Sequence, residues 1–372
     1  MADGDGGRLR PRVAGIGAPG GTLQETLDRL TVPGDLWRSE GDAGVRCVAC
    51  GHRCLVRDGR RGACKVRFNR AGVLMVPRGY VVGLNSDPIE KKPLFHVLPG
   101  SDAVTFGMLG CDFHCGYCQN WLTSQALRDS SAGTAVTPLP AEAIVEVALR
   151  RSSAAIVSSY NEPLITAEWA VEVFKLGRQR GFRTAMVSNG NATAEVLDYI
   201  RPWTDAFKID LKTIDERRYR SLGGRLEPVL DSIRAARDRG LWVEVVTLLV
   251  PGFNDADDGV RRMADAIASI STSIPWHVTA FHGDYRMRGP RDTSADDLLE
   301  ACEAGRAAGL EFVYAGNLPG RVGRWENTYC PRCGDLLIER VGYFIRRQRV
   351  SPEGACPACG ALIPGIWRQE AR

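Results

Sequence analysis

The 372 residues are 44% hydrophobic and 25% charged, enough to bury a full core as one large α/β barrel or two ordinary domains. Basic residues outnumber acidic ones by only four, so the charge balance gives no reason to expect a nucleic-acid partner. No apolar run approaches the roughly eighteen residues of a membrane helix, which removes that class.

Residues 1–44 lack the apolar centre of a secretory signal and read as a flexible leader, which predicts a cytoplasmic protein. The twelve cysteines cluster at 47, 50, 54 and 64, at 111, 115 and 118, and at 330, 333, 356 and 359. Tight groups of this kind, without an export signal, read as thiolate metal ligands rather than disulfides. Cys302 stands apart and reads as a small buried hydrophobe.

Residues 45–80 form a Cys- and Gly-rich module too polar for a core of its own, whose folding needs a metal or docking on the main domain. Its Cys47, Cys50, Cys54 and Cys64 suit zinc, with His52 as an alternative ligand, or an auxiliary iron–sulfur cluster. In the segment DPIEKKPLFHVLPG, residues Pro88, Pro93 and Pro99 predict an ordered extended strap across the main domain. Lys91 and Lys92 within it read most simply as solvated, the alternative being contact with an acidic substrate.

From residue 81 to 325 the hydrophobic period alternates. Strands are predicted at 104–109, 154–159, 184–188, 205–210, 241–250, 275–281 and 311–316. Helices are predicted at 141–151, 166–179, 227–240, 257–269 and 295–309, and Asn191 or Thr193 is placed to cap a further short one. This rhythm of βα units predicts a partial or full (β/α) barrel, with a doubly wound sheet as competitor and the chemistry beyond the C-terminal strand ends.

The first predicted strand runs into Cys111-Asp-Phe-His-Cys115-Gly-Tyr-Cys118. Three thiolates in one short loop can grip one corner of an iron–sulfur cube and leave the fourth iron without a ligand from the motif. A zinc loop completed by His114 is the alternative. Residues 326–372 carry Cys330-x2-Cys333 and Cys356-x2-Cys359, the spacing of a zinc ribbon.

The C-x3-C-x2-C spacing after a first strand resembles the radical S-adenosylmethionine (SAM) signature. CVACGHRC, GACKVRFN, DPIEKKPLFHVLPG, GCDFHCGYCQNW, YNEP, SNG, DLK, LLVPGFND, PWHVTAFH, YAGNLPG, TYCPRCG and CPACG together resemble the radical SAM component of the AmmeMemoRadiSam system. That branch is related to pyruvate formate-lyase activating enzymes. The resemblance implies a [4Fe–4S] cluster on Cys111, Cys115 and Cys118, and cleavage of SAM to a 5′-deoxyadenosyl radical that abstracts hydrogen from a substrate. It also implies an electron donor such as flavodoxin or ferredoxin, and Memo-like and AMMECR-type partners. Activation of a glycyl radical enzyme is the alternative within the same chemistry; a zinc-dependent RNA-binding or scaffold protein is the alternative outside it.

By similarity to activating enzymes, Glu162, Ser188, Asn189, Asp210, Lys212 and His277 are candidate SAM contacts. Each has a plainer reading: Glu162 as a helix cap, Ser188-Asn189-Gly190 as a tight turn, Asp210–Lys212 as a solvated pair, His277 as a structural histidine. Tyr160 and Asn161 stand where related sequences carry paired glycines. Trp276 and His277 must point to opposite faces, so only one of them faces inward. His282, Tyr285 and Asn317 are candidates for shaping a substrate site.

Overall fold

The computed structural model describes residues 22–255 and 258–369. At its centre is an eight-stranded sheet: β1 (Gly83–Pro88), β2 (Asp102–Gly107), β3 (Ala155–Ser158), β4 (Arg183–Ser188), β5 (Ala206–Asp210), β6 (Trp242–Leu249), β7 (Trp276–Ala280) and β8 (Val313–Gly316). Edge strand β1 pairs antiparallel with β2, and every later pairing is parallel. Helices α1 (Ala141–Arg150), α2 (Ala167–Gln179), α3 (Ala194–Ile200), α4 (Leu226–Asp238), α5 (Gly259–Ile270) and α6 (Ala295–Ala307) lie in the crossovers. Thr193 caps α3 by accepting from the Val196 amide at 3.1 Å.

The spatial order follows the chain order without reversal, and β1 and β8 do not pair. Right-handed crossovers therefore put every helix on one face. A doubly wound sheet needs a reversal, so it is excluded, and the arrangement is an open, partial (β/α) barrel.

Strand alternation then divides the core. Val104, Ile156, Met186, Phe207, Val243 and Trp276 pack outward with the helices. Ala103, Ala155, Val157, Ala185 and Ala206 point inward, where Ile89, Leu94, Val97 and Leu98 of the proline-rich strap lie on them. The small inward side chains give the strap room. Buried Glu244 of β6 fastens it by accepting from the amides of Phe95 (3.0 Å) and His96 (2.9 Å).

The C-terminal ribbon is built on strands Thr328–Tyr329, Leu336–Val341 and Phe344–Gln348 and closes over the strap. Its buried Arg340 donates to the Phe95 carbonyl at 2.8 Å and lies over the Phe95 ring. The amides of Leu98 and Ile366 donate across to the Ile366 and His96 carbonyls, each at 2.7 Å.

Residues 22–44 correct the reading of 1–44 as a leader; residues 1–21 lie outside the described residues. Helix Leu23–Arg29 starts at a Thr22–Glu25 capping box, Thr31–Pro33 pairs with Val73–Pro77, and Trp37–Ser39 pairs with Val45–Cys47. The N-terminal module thus begins before residue 45. It docks on the barrel through buried Arg67, which pairs with Glu168 of α2 and donates from Nε to the Ile165 carbonyl at 2.7 Å. Lys92 is buried beneath Tyr160 with its Nζ 3.1 Å from Asp87, so only Lys91 is the solvated lysine the sequence suggested. Among the described residues no helix is long and apolar enough to cross a membrane.

His96 lies fully buried between strap, sheet and tail. Its Nδ1–H donates to the Pro364 carbonyl and its Nε2 faces the Tyr314 hydroxyl, both at 2.7 Å, partners that suit a neutral ring. Burial pushes its pKa down to about 4. The unfolded chain binds this proton near pH 6.5, so stability is lost as pH falls from about 6.5 towards 4, by on the order of 3 kcal/mol. Urea unfolding at successive pH values should show this loss in the native chain and a shallower acid limb in His96→Gln. Equal slopes would reject the assignment.

Candidate active site

Most of the predicted motifs follow the C-terminal ends of their strands, so the fold gathers them on one rim. The cysteine loop follows β2, Tyr160–Pro163 follows β3, Asn189-Gly190 follows β4, Leu211-Lys212 follows β5 and Asn317 follows β8. Gly107 ends β2 because any Cβ there would come within 2.4 Å of the Ser159 carbonyl. Tyr160 keeps a left-handed backbone, φ 71°, a region that favours glycine. Its carbonyl accepts from Thr123 Oγ1 at 3.0 Å, holding the strained turn to the cysteine loop.

Cys111 Sγ accepts from the Phe113 amide at 3.3 Å, and Cys118 Sγ lies 3.2 Å from Ser124 Oγ. Burial pushes the Cys115 thiol up to about 12 and raises Cys111 and Cys118 as well. The loop therefore keeps its thiols neutral until a cation replaces the protons. The described geometry lends the zinc alternative no support. His114 is exposed and lies against Gly223, and among the described residues only Cys330, Cys333, Cys356 and Cys359 bring three or more ligand atoms within 4.8 Å of one another. Three soft thiolate donors in one short loop are the donor set an iron–sulfur cluster takes.

Asp112, which sequence reading passed over, holds this loop to the rim. Its carboxylate is buried and accepts from Asn189 Nδ2 (2.7 Å) and Asn191 Nδ2 (2.8 Å). Asn189 Nδ2 also lies 3.9 Å from Cys111 Sγ. Glu162 joins the next two loops: one oxygen accepts from the Leu164 amide (3.0 Å) and Ser188 Oγ (2.7 Å), the other from the Asn189 amide (2.7 Å). Burial, with Asp112 nearby, raises its pKa to about 8. Glu162 is thus a cap and a clamp together. Gly190 makes the expected tight turn, φ 75°, with Ile209 filling the place of a Cβ.

Asp210 and Lys212 do not form a solvated surface pair. Lys208 and Lys212 both bond the Asp210 carboxylate, Lys212 at 3.1 Å, and all three are largely buried. Burial alone would raise the Asp210 pKa; the two ammonium groups outweigh it and hold the carboxylate at about 2. Lys212 and Asp210 of this triad bear electrostatically on Cys115. Lys208 was legible in principle, since it sits two residues before Asp210 on one strand face.

His277 is not with this group. Although it points inward, as alternation allowed, it is buried in the strap, with Nε2 2.7 Å from Glu244 and its ring between Phe95 and Tyr314. Trp276 points outward and donates to Thr247 Oγ1 at 3.0 Å. Tyr285 stacks on Trp121 at 5.0 Å and donates to Asp129 at 2.7 Å, tying the late rim to the cysteine loop. A cavity of about 660 Å³ lies beside that loop, between Gln119, Phe281, His282, Asn317, Tyr343 and Phe344.

The stretch from residue 106 to 267, from β2 into α5, matches the radical SAM superfamily. The chain belongs to that superfamily. This radical SAM enzyme is 37% identical over 325 residues to an uncharacterized protein of Methanocaldococcus jannaschii, covering 87% of this chain and 96% of the other. It is 24% identical to a pyruvate formate-lyase-activating enzyme of Clostridium pasteurianum, over 51% of this chain and 84% of that protein. Among solved structures, a radical SAM methyltransferase from Sphaerobacter thermophilus aligns at a TM-score of 0.47 and 16% identity, over 64% of this chain and 71% of the other. Radical SAM chemistry generates a 5′-deoxyadenosyl radical from SAM at a [4Fe–4S] cluster.

Asp112→Ala would leave two buried amides without their acceptor, at a cost of about 2–4 kcal/mol. The expected outcome is a lower urea midpoint and faster loss of iron from reconstituted protein. A variant that keeps both would show that Asp112 does not hold the loop.

Proposed function

We propose that SAM binds the upper half of the concave face, between the cysteine loop and the Lys208–Asp210–Lys212 triad, and that the radical acts on a substrate admitted through the adjoining cavity. One observation carries this reading. The inward residues Val187, Asp210, Leu248 and Gly316, near the upper strand ends, are partly exposed, whereas the inward residues Ala155, Ala185 and Ala206 below them are buried against the strap. Cys111, Cys115 and Cys118 would hold three irons, leaving one for the amino and carboxylate groups of SAM. The triad supplies both charge signs to that zwitterion, and Val187 and Leu248 offer apolar surface to the nucleoside. Glu162, Ser188 and Asn189 spend their polar groups on one another, so we assign them to positioning the cysteine loop. His277 we assign to the strap.

The cavity is mostly apolar and roofed by Tyr343 and Phe344 of the ribbon, which favours a compact substrate. We place the enzyme with the AmmeMemoRadiSam system, drawing on a low-potential donor such as flavodoxin or ferredoxin and on Memo-like and AMMECR-type components. Cys330 and Cys359 (Sγ separation 3.6 Å) and Cys333 and Cys356 (3.7 Å) are spaced for one tetrahedral ion, which we take as zinc. The likeness to an activating enzyme supports a second reading, in which hydrogen is taken from the backbone of a glycyl radical enzyme.

Reduced, anaerobically reconstituted protein should release deoxyadenosine from SAM. Cys115→Ala should abolish release, and Asp210→Ala should raise the SAM concentration needed by at least about tenfold, the 1.4 kcal/mol equivalent of one charge-assisted contact. Unchanged SAM dependence in a folded Asp210→Ala protein would remove the triad from the site. Deuterium passing from labelled metabolites into deoxyadenosine would support the small-substrate reading; a stable radical on an added glycyl radical enzyme would support the other.

A further inference from the structure

The N-terminal cysteines were left open between zinc and iron–sulfur by their sequence, and the chemistry of the rim does not use them. Cys47, Cys50 and Cys64 are buried, Cys54 is partly so, and none is in a disulfide. The module folds them towards one point. The Cys47 amide donates to the Cys54 carbonyl at 3.0 Å, and the turns at Arg53 (φ 43°) and Lys65 (φ 68°) bring in Cys50 and Cys64. Cys47 interacts electrostatically with each of the other three. His52 is not part of the set, because its Nε2 faces the Asp112 carbonyl at 3.2 Å and its ring meets Phe113 edge-on.

Spacing separates two kinds of ion. Zinc–sulfur bonds of about 2.3 Å put tetrahedral sulfurs about 3.8 Å apart, which the C-terminal cysteines already approach. The N-terminal set does not bring even three sulfurs within 4.8 Å of one another; in this it matches Cys111, Cys115 and Cys118. Neighbouring thiols that stand too wide for one ion suit a cube, whose corners are separate irons.

The surroundings suit a buried anion. Cys54 Sγ accepts from the Ala63 amide at 3.3 Å, and the amides of Val66 and Arg67 support Cys64. The buried Arg67 guanidinium reaches Cys47 Sγ at 3.9 Å from the nitrogen that also meets Glu168 at 3.1 Å. Amide donors and a cation at the sulfurs are what a cluster carrying net negative charge requires.

We propose that Cys47, Cys50, Cys54 and Cys64 ligate a second [4Fe–4S] cluster, with all four irons held by thiolates, against the outer side of the first cluster's loop. The module touches that loop directly: His52 Nε2 lies 3.2 Å from the Asp112 carbonyl, and a Cβ on Gly110 would lie 3.2 Å from the Cys64 carbonyl.

The full chain carrying Cys111→Ala, Cys115→Ala and Cys118→Ala, reconstituted anaerobically with ferrous iron and sulfide, should retain about four irons and about four sulfides, half the wild-type content. After dithionite reduction it should show the electron paramagnetic resonance signal of a cubane. Adding Cys50→Ser and Cys64→Ser should remove that iron. A folded triple variant that holds zinc, or no metal, at the N-terminal module overturns the proposal. Should the triple variant fail to fold, Cys50→Ser/Cys64→Ser in the otherwise native chain should lose half its iron, and full iron content there overturns it equally. Because the triple variant lacks the SAM cluster, this result stands apart from SAM cleavage.

Discussion

The structure depends on a sheet whose helices cover only one of its faces. Unreversed strand order puts every crossover helix outside, so the inner face must be filled by something other than secondary structure. The lower half is filled by the proline-rich strap, which Glu244 fastens through two strap amides and the Trp242 and His277 side chains. A buried carboxylate with four donors costs little in desolvation, whereas removal of its partners would leave an unpaired charge. The upper half is left for ligand, and there the inward side chains become partly exposed.

The same logic of satisfied charge organises the rim. Asp112 ties the cysteine loop to the turn after β4, Glu162 ties that turn to the loop after β3, and two lysines hold Asp210 ionised inside the barrel. Most of the candidate polar residues therefore act first on each other, and the cysteine loop inherits a rigid seat before any cofactor binds. Asp210 and its lysines differ in facing the open half of the barrel.

Neither flanking module is an appendage. The ribbon sets Arg340 on Phe95 of the strap and pairs its tail with it, while the N-terminal module places Arg67 against α2 and Gly51 against the turn after β4. The two modules also differ in how they hold sulfur: the ribbon's thiols already stand at single-ion spacing, and the N-terminal ones do not.

The seven parallel strands, most of the helices between them and the chemistry of Cys111, Cys115 and Cys118 were legible in the sequence, because period and ligand spacing are local properties of the chain; the antiparallel edge strand β1 and the helix Glu216–Ser221 were not. Three matters were decided only in three dimensions. Whether the sheet reverses depends on strand order, which local patterning does not encode. His277 and Asp210 both end up facing inward on strands, yet one lies beneath the strap and the other above it, since height in a barrel follows from register with neighbours. Asp112 and Lys208 gained their roles from partners on other loops and strands. The sequence by itself determined most of the barrel's elements and how its sulfurs cluster along the chain; the tertiary structure decided which polar groups meet, because a buried charge is placed by whatever neighbour can satisfy it.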